Sequence, residues 1–189
     1  MNLTVKHVER IPVNVPFREV PARNMIRELP HWTLFEICKV TLACGVTGFG
    51  ETMEYYTWGR VTDEKVGRVV GKNAAEMMWD DSLGAGLQMA LFDAVGKAND
   101  VPCHRLLGPM HRDRPFLSWW DIDMPGEDWV LECREAIAQG YSEFKALIED
   151  TTSGSVGNVL GVAVPRYQLT TLDCQRIVRG AALLCQLLF

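Results

Sequence analysis

Four side chains offer the clearest chemistry in this chain: Phe17 and Arg18, in Val15-Pro-Phe-Arg18, and Tyr55 and Tyr56, in the run from Glu51 to Trp58. A guanidinium among aromatic rings suits a polar pocket with aromatic walls, in which the arginine meets a carboxylate. The same residues also serve elsewhere as ordinary loop side chains in a satellite cluster. Lys145, in Tyr141-Ser-Glu-Phe-Lys145-Ala-Leu147, is an amine that does acid or base work only where burial or a neighbouring charge tunes it. Nothing identifiable near it in sequence would do so, which favours a structural or partly solvated lysine. Trp119-Trp120-Asp121 places a carboxyl behind two indoles, although a paired tryptophan is commonly core or interface. Asp173, between Leu172 and Cys174, is a lone carboxylate that reads more readily as a cap or surface group. The six cysteines (Cys38, Cys44, Cys103, Cys133, Cys174 and Cys185) lie far apart, without a Cys-x-x-Cys pair or histidine spacing suited to zinc. They read as reduced, mostly buried small apolar residues.

The elements that must position these groups follow from periodicity. Thr4 to Val13 mixes β-branched and charged residues as a strand with one wet face would, until Pro12 and Pro16 break the pattern and a long loop follows. Trp32 to Ala43, a turn at Cys44-Gly45, and Val46 to Glu51 complete a three-stranded antiparallel sheet. Val61 to Val70 and Ala74 to Trp79 read as helices, the second capped by Asn73. Leu83, Leu87, Ala90, Leu91, Ala94, Val95 and Ala98 keep the spacing of one continuous helical stripe. Asp81 or Ser82 can cap that helix, and Asn99-Asp100 ends it before Pro102 opens a short second helix that Gly108 closes. From Arg114 the pattern becomes strand (Pro115 to Trp120), helix (Gly126 to Gln139, with a stripe of Trp129, Cys133, Ala136 and Ile137), strand (Tyr141 to Leu147). Such a βαβ unit normally continues into a larger α/β structure.

The segment from Ala85 to Gly108 resembles the signature of the enolase superfamily, in its mandelate racemase and muconate lactonizing branch. Ala85, Gly86, Leu87, Gln88, Ala90, Leu91, Asp93, Ala94, Gly96, Lys97, Pro102, Leu106, Leu107 and Gly108 carry the match, and Cys103 departs from it. The resemblance implies an α+β capping domain (three-stranded antiparallel sheet with helices) followed by an incomplete (β/α) barrel. The expected division is a capping domain over 1–112, the first strand-helix-strand of a truncated barrel over 113–147, and an unmatched tail over 148–189. A whole barrel of this type takes roughly 250 residues, and the chain after Pro109 is far shorter.

Relatives of this kind abstract a proton α to a carboxylate and hold the enediolate with magnesium, as racemases, epimerases, cycloisomerases or dehydratases. The resemblance therefore implies magnesium as cofactor and a small carboxylate or acid sugar as substrate. It assigns Lys145 to the first lysine of a Lys-x-Lys pair, as a vestigial catalytic residue, while Leu147 stands where the proton-abstracting base belongs. It also places Phe17, Arg18, Tyr55 and Tyr56 on the two loops that close the site over substrate. No full ligand set can be placed: Asp173 alone would leave magnesium mostly water-bound, so none is expected to bind well. The reading is a fragment of such an enzyme, inactive as it stands; the alternative is a non-catalytic binding or interaction module that keeps the capping fold and offers a sheet edge to a partner. Unpaired strand edges and the apolar faces around Phe116, Trp119 and Phe144 point to self-association.

Composition bounds the rest. With 48% hydrophobic residues over 189 positions the chain can bury a core, and a net charge of −5 with scattered lysines and arginines offers no nucleic-acid surface. The apolar run from Gly180 to Phe189 is too short for a bilayer of ~30 Å, and Met1 to Arg10 lacks the apolar core of a secretory signal. No membrane partner is expected, and the cytoplasm is the default location. Beyond Leu147 the run Thr151-Thr-Ser-Gly-Ser-Val-Gly157 is flexible in composition.

Overall fold

The computed structural model describes residues 1–56, 59–115, 117–122, 124–141, 144–150 and 155–158, excepting the side chains of 27, 28, 122, 144–150 and 155–158. It forms two compact units, Met1–Pro16 with Pro30–Asp113, and Phe17–Leu29 with Arg114–Phe189.

The first unit is an antiparallel meander of β1 (Val5–Asn14), β2 (Leu34–Leu42) and β3 (Thr47–Met53). β1 continues through Pro12, opposite Glu36, instead of breaking there. As the edge strand it tolerates the missing N–H. In β2, Glu36, Cys38, Val40 and Leu42 turn inward at alternate positions. Outside the sheet come α2 (Asp63–Val69), capped by the Thr62 hydroxyl, and α3 (Ala74–Met77), capped by Asn73 as expected.

The signature segment forms α4 (Ala85–Ala98), and every residue of its anticipated stripe is buried. Its cap differs from expectation: Asp81–Leu83 is a separate 3-10 turn capped by Asp80, and Gly84 at φ +85° leads into α4 with no side-chain cap. The positive φ is one that glycine adopts freely. α5 (Cys103–Leu107) follows Pro102 and stops at Gly108.

α4 lies unusually close to the sheet. The inward positions of β3 are Gly48, Gly50 and Thr52, and a Cβ on Gly48 would collide with the Ala90 carbonyl and Ala94 nitrogen. A Cβ on Gly50 would collide with the Gly86 carbonyl. Glycines on the strand face the small residues Gly86, Ala90 and Ala94 on the helix, so backbone meets backbone.

The second unit contains α1 (Glu19–Glu28), β4 (Trp119–Ile122), α6 (Gly126–Ala138), β5 (Phe144–Asp150) and β6 (Ser155–Asn158). The long loop expected after Pro16 is thus partly helical. Pro21 sits in the first turn of α1, where no intrahelical N–H is lost. β4 and β5 are parallel, as a βαβ unit requires, with both strands placed a few residues later than expected.

β6 pairs antiparallel with β5, setting Leu147 opposite Asn158 and Asp150 opposite Ser155. The Gly- and Ser-rich run is therefore partly a strand; such composition between two extended segments also suits a hairpin. Residues 159–189, including Asp173, Cys174 and Cys185, lie outside the described residues, as do Phe116 and the Phe144 side chain. Of the described cysteines, Cys38 and Cys133 are buried as expected, Cys103 is half-buried and Cys44 is exposed. Among the described residues no helix is long and apolar enough to cross a membrane.

Candidate functional site

A polar cluster lies in the second unit, and its centre is a carboxylate on the inner face of α6. The anticipated stripe of that helix holds only in part, since Cys133 and Ala136 are buried but Ile137 is exposed. Asp128 and Glu132 complete the buried face instead. Spaced i, i+4, they emerge one above the other on the same side of the helix.

Glu132, 2% exposed, accepts from both ends of the Arg18 guanidinium, with Nη1 to Oε1 at 3.1 Å and Nη2 to Oε2 at 2.5 Å. The Trp119 Nε1–H donates to Oε2 at 3.0 Å. Arg18 Cζ sits 4.5 Å from the Trp119 ring centroid, and Tyr141 meets the same indole edge-on at 5.1 Å. A planar guanidinium that forks onto a carboxylate while lying over an indole uses both modes open to arginine.

One turn earlier, Asp128 accepts from Arg23 Nε at 2.9 Å, from Arg23 Nη2, and from Asn24 Nδ2 at 2.7 Å. The hydrogen bond from Arg23 is the main reason that the Asp128 carboxyl lies below its usual range. Helix α1 is thereby held to α6 by two arginine–carboxylate forks, which is why Phe17–Leu29 groups with the residues beyond Asp113 and not with the capping sheet.

Asp121 completes the cluster from β4. It is 1% exposed, and its Oδ2 has no hydrogen-bond partner among the described residues. Burial pushes its carboxyl up to about 8, reinforced by a hydrogen bond with Glu132 and by that group's charge. Burial also works against ionising Glu132, but the bonds from Arg18, Asp121 and Trp119 outweigh it and hold that carboxyl below the usual range. Burial, with the charges of Asp121 and Glu132 behind it, raises the neighbouring Cys133 thiol to about 11, so it stays protonated and unreactive at neutral pH.

The four anticipated pocket residues divide between the units. Phe17 is half-buried before α1, and the fork of Arg18 is occupied by Glu132, so a ligand carboxylate would have to replace an internal one. Tyr55 and Tyr56 belong to the first unit, each more than half exposed. There His31 stacks on Tyr55 at 4.8 Å and Trp32 meets Tyr56 edge-on at 5.4 Å. Beside them Arg60 pairs with the buried Glu54 at 2.5 Å. Lys145 lies on β5 opposite Trp120, and Leu147 opposite Ile122. Trp119 is 8% exposed beneath Arg18, so its face is covered and not open to other chains as anticipated. Among the described residues no trio of His, Cys, Asp or Glu could hold a metal ion.

Glu132 and Asp128 were not legible as site residues, although two acids at helical spacing beside Cys133 and Ala136 were a signal for them.

No protein-family model matches the chain. A D-galactonate dehydratase of Xanthomonas oryzae pv. oryzae is 32% identical over 142 residues, covering 65% of this chain and 34% of that enzyme. A chloromuconate cycloisomerase of Cupriavidus pinatubonensis is 43% identical over 60 residues, covering 32% of this chain and 14% of the enzyme. These relatives support the resemblance to the mandelate racemase and muconate lactonizing branch of the enolase superfamily. The chain spans about a third of the length of the dehydratase relatives it matches. Among solved structures, muconate cycloisomerase from Pseudomonas fluorescens superposes with a TM-score of 0.62 at 16% identity, covering 96% of this chain and 48% of that one. A putative L-alanine-DL-glutamate epimerase from Burkholderia xenovorans, solved with magnesium and fumarate, gives 0.59 at 20% identity, covering 96% and 51%. The fold of this superfamily branch, a capping domain and the start of its barrel, is therefore present here.

Proposed function

We propose that this chain is a non-catalytic relative of the magnesium-dependent, carboxylate-transforming enzymes of its branch, retaining the capping module and the first barrel strands but not the reaction centre. The observation that carries this reading is on β5. Lys145 and Leu147 hold the register positions opposite Trp120 and Ile122, and where the family resemblance expects the proton-abstracting base, Leu147 is a hydrocarbon that cannot take a proton from carbon.

Magnesium supplies the stabilisation of an enediolate in such enzymes. The donor set on the described residues does not fit it. Asp121 is disfavoured as an anion, Glu132 and Asp128 are engaged by arginines, and the edge of β5 where a further parallel strand would run is paired with β6. The names of the relatives support carboxylates as the substrate class of the parent activity, acid sugars and muconates among them. Cysteines placed singly along the chain support a reducing, cytoplasmic setting.

The purified chain, incubated in D2O with magnesium and D-galactonate or mandelate, is expected to leave the α-proton unexchanged by NMR. Magnesium-dependent exchange abolished by EDTA would overturn the reading.

A further inference from the structure

The polar interior of the second unit contains a group that nothing so far accounts for. Asp121 is fully buried on β4, faces Glu132 on α6, and keeps Oδ2 without a partner among the described residues. The geometry points to a single proton shared between Asp121 and Glu132, which fastens α6 to β4 and whose loss to solvent releases the helix locally.

Counting donors places the proton. Glu132 receives three charge-assisted or neutral N–H donors, two from Arg18 and one from Trp119, and is therefore the ionised partner. Among the described residues no cation bonds to Asp121, and an ionised carboxylate with an orphaned oxygen in a buried site is costly. As a carboxylic acid it satisfies itself by donating its O–H to Glu132. Two carboxyls sharing one site separate their titrations in this way.

Among the described side chains, the groups around Asp121 leave no other counter-charge. From α6 come Glu132 and the neutral thiol of Cys133. Arg18, preceding α1, is committed to Glu132 and lies over Trp119. Along the chain, Trp119 contributes an indole N–H and Tyr141 packs its ring on that indole. From β5 the residue directly opposite is Ala146, with Lys145 and Leu147 on either side in the register. Arg23 and Asp128 form a closed pair one turn away.

When the proton leaves, two adjacent carboxylates share one arginine, and of the hydrogen bonds that tie β4 to Glu132 on α6 only the one from the Trp119 indole remains. The folded-state value is raised above the unfolded one, so the stabilisation is complete below about pH 4 and is lost as pH rises through about 8. Glu132 rides on α6, so water reaches both carboxylates most directly if that helix lifts.

Hydrogen exchange on the whole chain tests this. Corrected for intrinsic rates, protection of the α6 amides from Val130 to Ala138 is expected to fall about tenfold or more between pH 6 and pH 9, while Leu87 to Val95 of α4 keep theirs. Asp121→Asn keeps an N–H donor for Glu132 and cannot titrate, so its α6 protection is expected to be flat across that range. An undiminished fall in a folded Asp121→Asn chain would overturn the proposal. Should that variant not fold, the 13C carboxyl shift of Asp121 in the wild-type chain decides: a midpoint above pH 6 supports the shared proton, and a midpoint near 4 overturns it.

Discussion

Removing the Glu132 carboxylate strands the Arg18 guanidinium over Trp119 and takes the acceptor from the Trp119 indole N–H. Glu132→Ala is expected to destabilise the second unit by about 1–3 kcal/mol in urea titrations, less than the ~3–5 kcal/mol of a fully buried pair, because Arg18 is itself half exposed. The acid limb has a definite sign. Asp128 and Glu132 have folded-state values below their unfolded ones, so the stability they confer is present above about pH 4 and drains away as pH falls through the folded values. Asp128→Asn is expected to be less stable at pH 7 and to show a shallower acid transition by circular dichroism; an unchanged acid slope would mean that the Arg23 pair contributes nothing measurable. Asp121 acts in the opposite sense on the alkaline side, so this unit is expected to be most stable in mildly acidic solution.

The packing of α4 on β3 makes a sharp prediction at the scale of elements. Gly48→Ala and Gly50→Ala each place a methyl into helix backbone, which cannot rotate away as a side chain can. Each is expected to cost about 1–3 kcal/mol or more, and Leu87→Ala about 2–5 kcal/mol, read as a lowered midpoint of thermal unfolding. A glycine variant within 0.5 °C of wild type would show that helix and strand are not in contact there. Much of this unit was legible in the sequence, because α4 writes its burial into a helical stripe and β2 into alternation. β3 was legible as a strand but its role was not, since its inward residues are two glycines and a threonine and carry no hydrophobic signal. α1 was legible least: its partners Glu132 and Asp128 are more than a hundred positions away, and no local periodicity records an ion pair closed over that distance. The same distance hid the candidate site, whose arginines, tryptophan and carboxyls meet only in three dimensions.

For the molecule as a whole, strands matter most where they lack neighbours. β4 and β6 form the two edges of their described sheet, and edge strands offer backbone donors and acceptors to other chains. Light scattering at micromolar concentration is expected to show species larger than a monomer; a stable monodisperse monomer would count against it. The pairing of β6 with β5 bears on a different experiment, reassembly from pieces. A peptide carrying the later barrel strands of a relative, added in trans, needs the edge of β5 that β6 occupies. Its capture should then obey strand exchange, with a rate that levels off as peptide concentration rises, because β6 must first leave β5. A chain ending at Asp150 has no β6, and its capture rate should keep rising in proportion to the peptide.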